Sequence, residues 1–299
     1  MVHEYGRRSI PVRRESETLP RIRAPHAVDL QNVSVHQPGR PVLQNLDFYV
    51  REGDVLGIIG PEGGGKGTLL ETIAGFLSPS RGKVHIYGSQ PNGRLRRQLP
   101  VGYVSPFAPF PPDVPATVYE AVLMGTWGTG SWLPWSRKEH HLQTRYLLSM
   151  IRLDPLKDCP AHRLSPGRQQ LIRIARALVI RPRLLLMDDS FRMLDAAGRS
   201  LVQELLNDQK AQYKLTVIIT TPEGEWVRPV CDRMACLDKT LLWQTHISQV
   251  TPEILQDPCN HHPVRTRNGF HRSRKDRHTE LPRAPKNPPP PRRPMQFWR

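Results

Sequence analysis

Residues 57–68 read GIIGPEGGGKGT, and this stretch decides the predicted fold. Its glycines allow the backbone to curl so that successive N–H groups point at one centre, and a lysine and the start of a helix follow. An apolar strand before the glycines completes the pattern of a phosphate-binding loop. The nucleotide-binding residues predicted from it are Gly60, Pro61, Glu62, Gly63, Gly64, Gly65, Lys66, Gly67 and Thr68.

A second apolar run, LLLMDD at residues 184–189, ends in two acidic residues. In phosphate-loop proteins an acid at the end of such a strand acts with a Ser or Thr hydroxyl of the loop in holding Mg²⁺. Gly67 stands at the position of that hydroxyl and supplies no ligand. We therefore expect Mg²⁺ to depend on Asp188, through water, and on the nucleotide itself.

Hydrophobic periodicity organises the chain around this loop. Residues 28–50 alternate apolar and polar side chains as the two strands of a hairpin do, and later apolar runs alternate with amphipathic helices. Strands that alternate with helices around a phosphate loop indicate a mostly parallel sheet. The predicted fold is α/β, with a mostly parallel core sheet, an antiparallel β subdomain and a helical subdomain inserted at about residues 112–165. The whole domain is predicted to span residues 28–256.

The net charge of +16 belongs mainly to the two ends of the chain. Residues 1–27 carry +3 and residues 261–299 carry +9. Both ends are rich in Arg and Pro without apolar periodicity, so residues 1–27 and 257–299 are predicted to be basic disordered extensions. No apolar run is long enough to span a membrane, and the charged start does not resemble a secretory signal, which predicts a cytoplasmic protein.

From about residue 28 to residue 250 the chain resembles the ATP-binding subunits of ABC transporters. RLSPGRQQLIRIARAL is similar to the signature of that family, LLLMDD to its Walker B strand, and LDAAGR, with Asp195, to the segment that follows. The run TVYEAVLMGTWGTGSWLPWSRKE is similar to the helical insert of zinc and manganese importers. The resemblance assigns signature roles to Leu164, Ser165, Gly167, Arg168 and Gln169.

The resemblance also implies a set of cofactors and partners. It predicts ATP and Mg²⁺ as cofactors, and a homodimer or heterodimer in which each signature closes over ATP held by the other subunit. It further implies a membrane permease and, for an importer, a solute-binding protein. The subunit would then lie on the inner face of the cell membrane.

Several reactive positions depart from the family pattern. Asp189 replaces the glutamate that polarises the attacking water, and its carboxylate is about 1.5 Å shorter in reach. Pro106 and Pro222 stand at the positions of a glutamine and a histidine, and Pro166 removes one N–H from the signature turn. The aromatic residue that stacks on ATP is missing near His36. We therefore expect ATP binding of modest affinity, with hydrolysis slow or absent.

The sequence is compatible with three functions. The first is a transporter ATP-binding subunit, most similar to those for zinc or manganese. The second is a non-catalytic ABC protein that acts as the silent half of a heterodimer or as a regulatory scaffold. The third, suggested by the basic ends alone, is an ABC protein associated with nucleic acid; it ranks last because neither a second ABC domain nor a long coiled-coil insert is visible.

Overall fold

The computed structural model describes residues 26–37, 40–91, 101–127 and 138–263. Most of the predicted extensions, 1–27 and 257–299, lies outside these ranges, and both remain predictions. Within the described part, Pro258 and Cys259 contact the domain, because the Trp243 Nε1 atom donates to the Pro258 carbonyl at 2.8 Å and Cys259 packs against the core.

The strands form two sheets. A three-stranded antiparallel sheet has the order β2-β1-β4, and a six-stranded sheet has the order β5-β6-β7-β3-β8-β9. In the larger sheet every neighbouring pair is parallel except β8 and β9. The strands are β1 His26–Gln37, β2 Arg40–Arg51, β3 Val55–Ile59, β4 Arg81–Ile86, β5 Val101–Val104, β6 Leu184–Asp188, β7 Thr216–Thr220, β8 Arg233–Asp238 and β9 Thr240–His246.

Seven α-helices lie in the described ranges, and three of them follow β5 as the helical subdomain and its signature helix. The first of these begins with a capping box, in which Thr117 Oγ1 accepts from the Glu120 N–H and Glu120 Oε2 accepts from the Thr117 N–H. The helices are α1 Lys66–Ile73, α2 Val118–Leu123, α3 Lys138–Met150, α4 Pro166–Leu178, α5 Ala196–Tyr213, α6 Gly224–Val227 and α7 Pro252–Gln256.

Strand β3 explains why the sheet can present a loop at a fixed place. All five of its residues are buried, because the sheet is covered on both faces, as parallel sheets are. Val55 and Ile59 belong to the core shared with α2 to α5, whereas Leu56 and Ile58 belong to the core shared with α1 and the antiparallel sheet. The side chains therefore alternate between two cores.

The predicted fold class is confirmed: a mostly parallel sheet, an antiparallel β subdomain and a helical insert. The helix predicted from Asp195 to about residue 208 runs one turn further, to Tyr213. It ends where Lys214 takes the left-handed conformation, with φ of 53°. No helix in the described ranges is long and apolar enough to cross a membrane.

Candidate nucleotide-binding site

The loop between β3 and α1 has glycine where side chains would collide. Gly60 has φ of 145°, and a Cβ there would lie 2.1 Å from the Leu237 carbonyl oxygen. Gly65 has φ of 90°, and its Cβ would lie 2.6 Å from Leu43 Cδ2. The Lys239 N–H donates to the Gly64 carbonyl at 2.8 Å and fixes the loop to the turn between β8 and β9. These glycine conformations and this hydrogen bond together fix the backbone of the loop.

Lys66 lies inside the curve of this loop. Its Nζ atom donates to the carbonyl oxygens of Gly60 and Pro61, both at 2.8 Å. Burial lowers the pKa of Lys66, while the carboxylates of Asp189 and Asp188 oppose that shift. The ammonium is therefore held against the carbonyl side of the loop.

A cavity of about 370 Å³ opens beside the loop, and its volume falls in the range of small-molecule sites. Two cations, Arg40 and Lys66, and two acids, Glu71 and Asp188, face it. The lining residues are Gln37, Arg40, Val42, Gly63, Gly65, Lys66, Gly67, Thr68, Glu71 and Asp188. None of these described lining residues is aromatic. Arg40 belongs to no sequence motif, so its place at the cavity could be found only from the structure.

The metal position contains only part of the usual donor set. Asp188 Oδ1 accepts a hydrogen bond from Thr220 Oγ1 at 2.6 Å, so one carboxylate oxygen is already engaged. A Cβ added to Gly67 would lie 3.0 Å from Asp188 Oδ2, so the carboxylate stands directly against the missing hydroxyl. These residues fit an Mg²⁺ held by Asp188 through water, with one protein ligand fewer than a loop with Ser or Thr would supply.

Asp189 follows Asp188 in a strained conformation, with φ of 43°. Its Oδ1 atom is buried and has no hydrogen-bond partner among the described residues. Its Oδ2 atom lies 3.6 Å from Arg192 Nη1, which in turn lies 3.9 Å from Glu62 Oε1. Burial raises the pKa of Asp189, and the Arg192 guanidinium opposes that shift. The carboxylate that the sequence predicts as general base thus lies beside the Arg192 guanidinium.

The predicted signature residues begin α4. Ser165 caps the helix by accepting from the Arg168 N–H at 3.5 Å, and Pro166 is the first helical residue. Gln169 is buried: its Nε2 donates to the carbonyls of His162 and Leu164, and its Oε1 accepts from the Phe110 N–H. None of the signature residues is among those lining the described cavity.

The two prolines at reactive positions lie in the described part of the chain. Pro106 is exposed, two residues after β5, and Pro222 is half-buried, two residues after β7. Neither side chain has a polar atom that could contact water or phosphate. The sequence patterns could place these positions because they directly follow strands.

The fold and this loop define a nucleotide-binding α/β domain of the phosphate-loop class. The sequence pattern of the ABC transporter family matches residues 43–192. The chain belongs to the ABC transporter family, as an ATP-binding subunit.

The chain is similar to ATP-binding proteins of transporters for different substrates. The zinc transport system ATP-binding protein TroB of Treponema pallidum is 32% identical over 232 residues, covering 77% of this chain and 86% of the relative. The manganese transport system ATP-binding protein MntB of Bacillus subtilis is 32% identical, covering 64% and 76%. The Nod factor export ATP-binding protein I of Rhizobium johnstonii is 33% identical, covering 72% and 67%.

A solved structure of a dimeric ATP-binding cassette, bound to ADP and phosphate after hydrolysis, aligns with a TM-score of 0.64. It is 26% identical, and the alignment covers 74% of this chain and 98% of that chain. The ABC cassette predicted from the sequence is therefore confirmed at the level of family and fold.

Proposed function

We propose that the chain serves a transporter for a metal ion of the zinc, manganese or iron type, and that it binds ATP but hydrolyses it slowly on its own. Similarity to TroB and MntB supports the metal ion, although an exporter is among the relatives as well. As in other ABC transporters, the subunit would pair with a second ATP-binding subunit and contact a membrane permease. Trp127, with 73% of its surface exposed, is a candidate contact for that permease.

One contrast within the site carries the proposal on ATP. The phosphate loop is complete and Lys66 is in place, whereas Gly67 supplies no metal ligand and Asp189 is shared with Arg192. Phosphate affinity depends on the first set of groups, and the rate of cleavage on the second. Loss of one preorganised group typically costs about 10²–10³ in rate. Binding is thus expected to survive where turnover does not.

The residues would act in the following way. The backbone N–H groups of residues 60–66, except Pro61, which has none, and the Lys66 ammonium would bind and orient the triphosphate. Asp188 would hold Mg²⁺ through water, and the metal would offset part of the phosphate charge. Asp189 is the group that would orient the attacking water and accept its proton, with reduced reach.

The test of this proposal measures binding and hydrolysis separately in the full chain. Titration calorimetry with ATP should show binding, and Lys66→Ala should weaken it about 10-fold or more, because a charge-assisted contact is lost. Lys83→Ala, which removes an exposed lysine of β4, is the matched control and should bind as the native chain does. Phosphate release should stay near background. Absence of heat and of competition at millimolar ATP would refute ATP binding, and rapid phosphate release would refute impaired hydrolysis.

The metal-ion assignment needs its own measurement. Deleting the gene in the organism that encodes it should lower uptake of radioactive zinc or manganese, and the intact gene should restore it. Unchanged uptake of both ions would count against the assignment.

A second candidate function, the silent half of a heterodimer, is favoured by the four altered positions 67, 106, 189 and 222. Restoring them together as Gly67→Ser, Pro106→Gln, Asp189→Glu and Pro222→His tests whether these four positions alone account for the loss of activity. Strong hydrolysis by the restored chain alone would show that these positions disable an otherwise competent cassette. No gain would indicate a scaffold whose loss of activity extends further.

A further inference from the structure

Arg192 lies between the two halves of the phosphate site. Its Nη1 atom is within 4 Å of Asp189, at the end of β6, and of Glu62, in the phosphate loop. The Arg192 side chain is 53% exposed and that of Glu62 is 81% exposed, so solvent screens these contacts. Exposed pairs of this kind contribute little to stability. The main consequence of these contacts is therefore the position of the Arg192 guanidinium, and not the stability of the fold.

The Arg192 guanidinium lies among several carboxylates at the phosphate loop. Glu62, Asp188 and Asp189 place three carboxylates at the loop and at the strand end behind it, against the cations Lys66 and Arg192. Lys66 already donates to two loop carbonyls, whereas the ion pairs of Arg192 among the described residues are long, at 3.6 and 3.9 Å. Arg192 can therefore move to a stronger anion at small cost.

The metal position increases the need for such a cation. A triphosphate adds several negative charges to a site that already contains acids, and Mg²⁺ usually offsets them. Because Gly67 supplies no hydroxyl, the protein holds that metal with one ligand fewer. A guanidinium, with its planar fork of donors, suits phosphate oxygens better than other side chains do.

We propose that Arg192 binds the terminal phosphate of ATP and supplies part of the positive charge for which other phosphate-loop proteins depend on Mg²⁺. On arrival of ATP the guanidinium exchanges its long contact with Glu62 for phosphate oxygens and remains beside Asp189. The inference rests on the proposed function, because it requires ATP in the loop. It makes Arg192 a determinant of triphosphate over diphosphate, since ADP lacks the phosphate that Arg192 would contact.

The test compares ATP and ADP binding to the full chain, in EDTA and in Mg²⁺, by displacement of a fluorescent ATP analogue. In EDTA, Arg192→Ala should weaken ATP binding about 10-fold or more, the loss of a charge-assisted hydrogen bond, and ADP binding less than about threefold. Mg²⁺ should recover part of the loss. Arg192→Lys, which keeps the charge without the fork, should fall between. Arg145→Ala, at an exposed arginine of α3, is the matched control and should change neither affinity.

The outcomes separate this inference from the function on which it rests. If the native chain binds no ATP in either buffer, the proposed function fails, and the inference fails with it. If the native chain binds ATP and Arg192→Ala binds it equally well in EDTA, only the inference is overturned. An equal loss for ATP and ADP would also overturn it, because Arg192 would then not contact the terminal phosphate. Thermal unfolding of each variant verifies that the fold is retained.

Discussion

Asp189 offers the most direct single-residue test of why turnover should be slow. Its carboxylate lies 3.6 Å from Arg192 and has one methylene fewer than glutamate. Asp189→Glu would extend the carboxylate by about 1.5 Å toward the space beyond the strand end. We expect the rate of ATP hydrolysis by the full chain to rise about 10-fold. This is less than the rate gain of about 10²–10⁴ that a well-positioned general base supplies, because the other altered positions remain. Phosphate release at saturating ATP measures this.

The control for this prediction is Asp189→Asn, which keeps the size of the side chain and removes its basicity. It should leave phosphate release at background. If the glutamate and asparagine variants release phosphate equally, the carboxylate is not the group that limits hydrolysis.

Among the structural elements, the signature turn depends on one side chain inside helix α4. Gln169 joins the turn at residues 162–164 to Phe110, 59 residues away in the sequence, through three hydrogen bonds. Gln169→Ala would leave partly buried backbone groups without this partner. The free energy of unfolding should fall by about 2–3 kcal/mol, as measured by urea denaturation.

Gln203→Ala is the comparison for that variant. Gln203 lies on α5 and donates only a long bond, 3.4 Å, to the Pro229 carbonyl. Its loss should cost less than about 0.5 kcal/mol. If both variants lose the same stability, Gln169 is not the tie that holds the turn.

For the molecule as a whole, local signals predicted the architecture and missed the contacts that assemble the site. The apolar run of β3 and the glycines after it could be recognised because each follows from neighbouring residues. The hydrogen bond from Thr220 to Asp188 joins two strands that are 32 residues apart in the sequence. Neither segment alone contains a pattern that predicts this bond. Arg192 likewise belongs to none of the recognised motifs, and its proposed role in phosphate binding is inferred from its distance to Glu62. Hydrophobic periodicity predicts helices and strands, but it does not predict side-chain contacts between distant segments.

Pairing of two subunits gives the last prediction, because the signature of one would close on the ATP of the other. Pro166 is the first residue of α4 and lacks the N–H that the first turn of a helix leaves free for an anion. Pro166→Ala restores that donor without adding an atom beyond those of proline. With ATP in EDTA, sedimentation velocity should show the native full chain largely monomeric and the variant dimerising about 10-fold more tightly, the effect of one charge-assisted hydrogen bond. Pro155→Ala, at another exposed proline in the first turn of a helical segment, should change nothing. Equal association of all three chains would mean that the missing donor does not limit pairing.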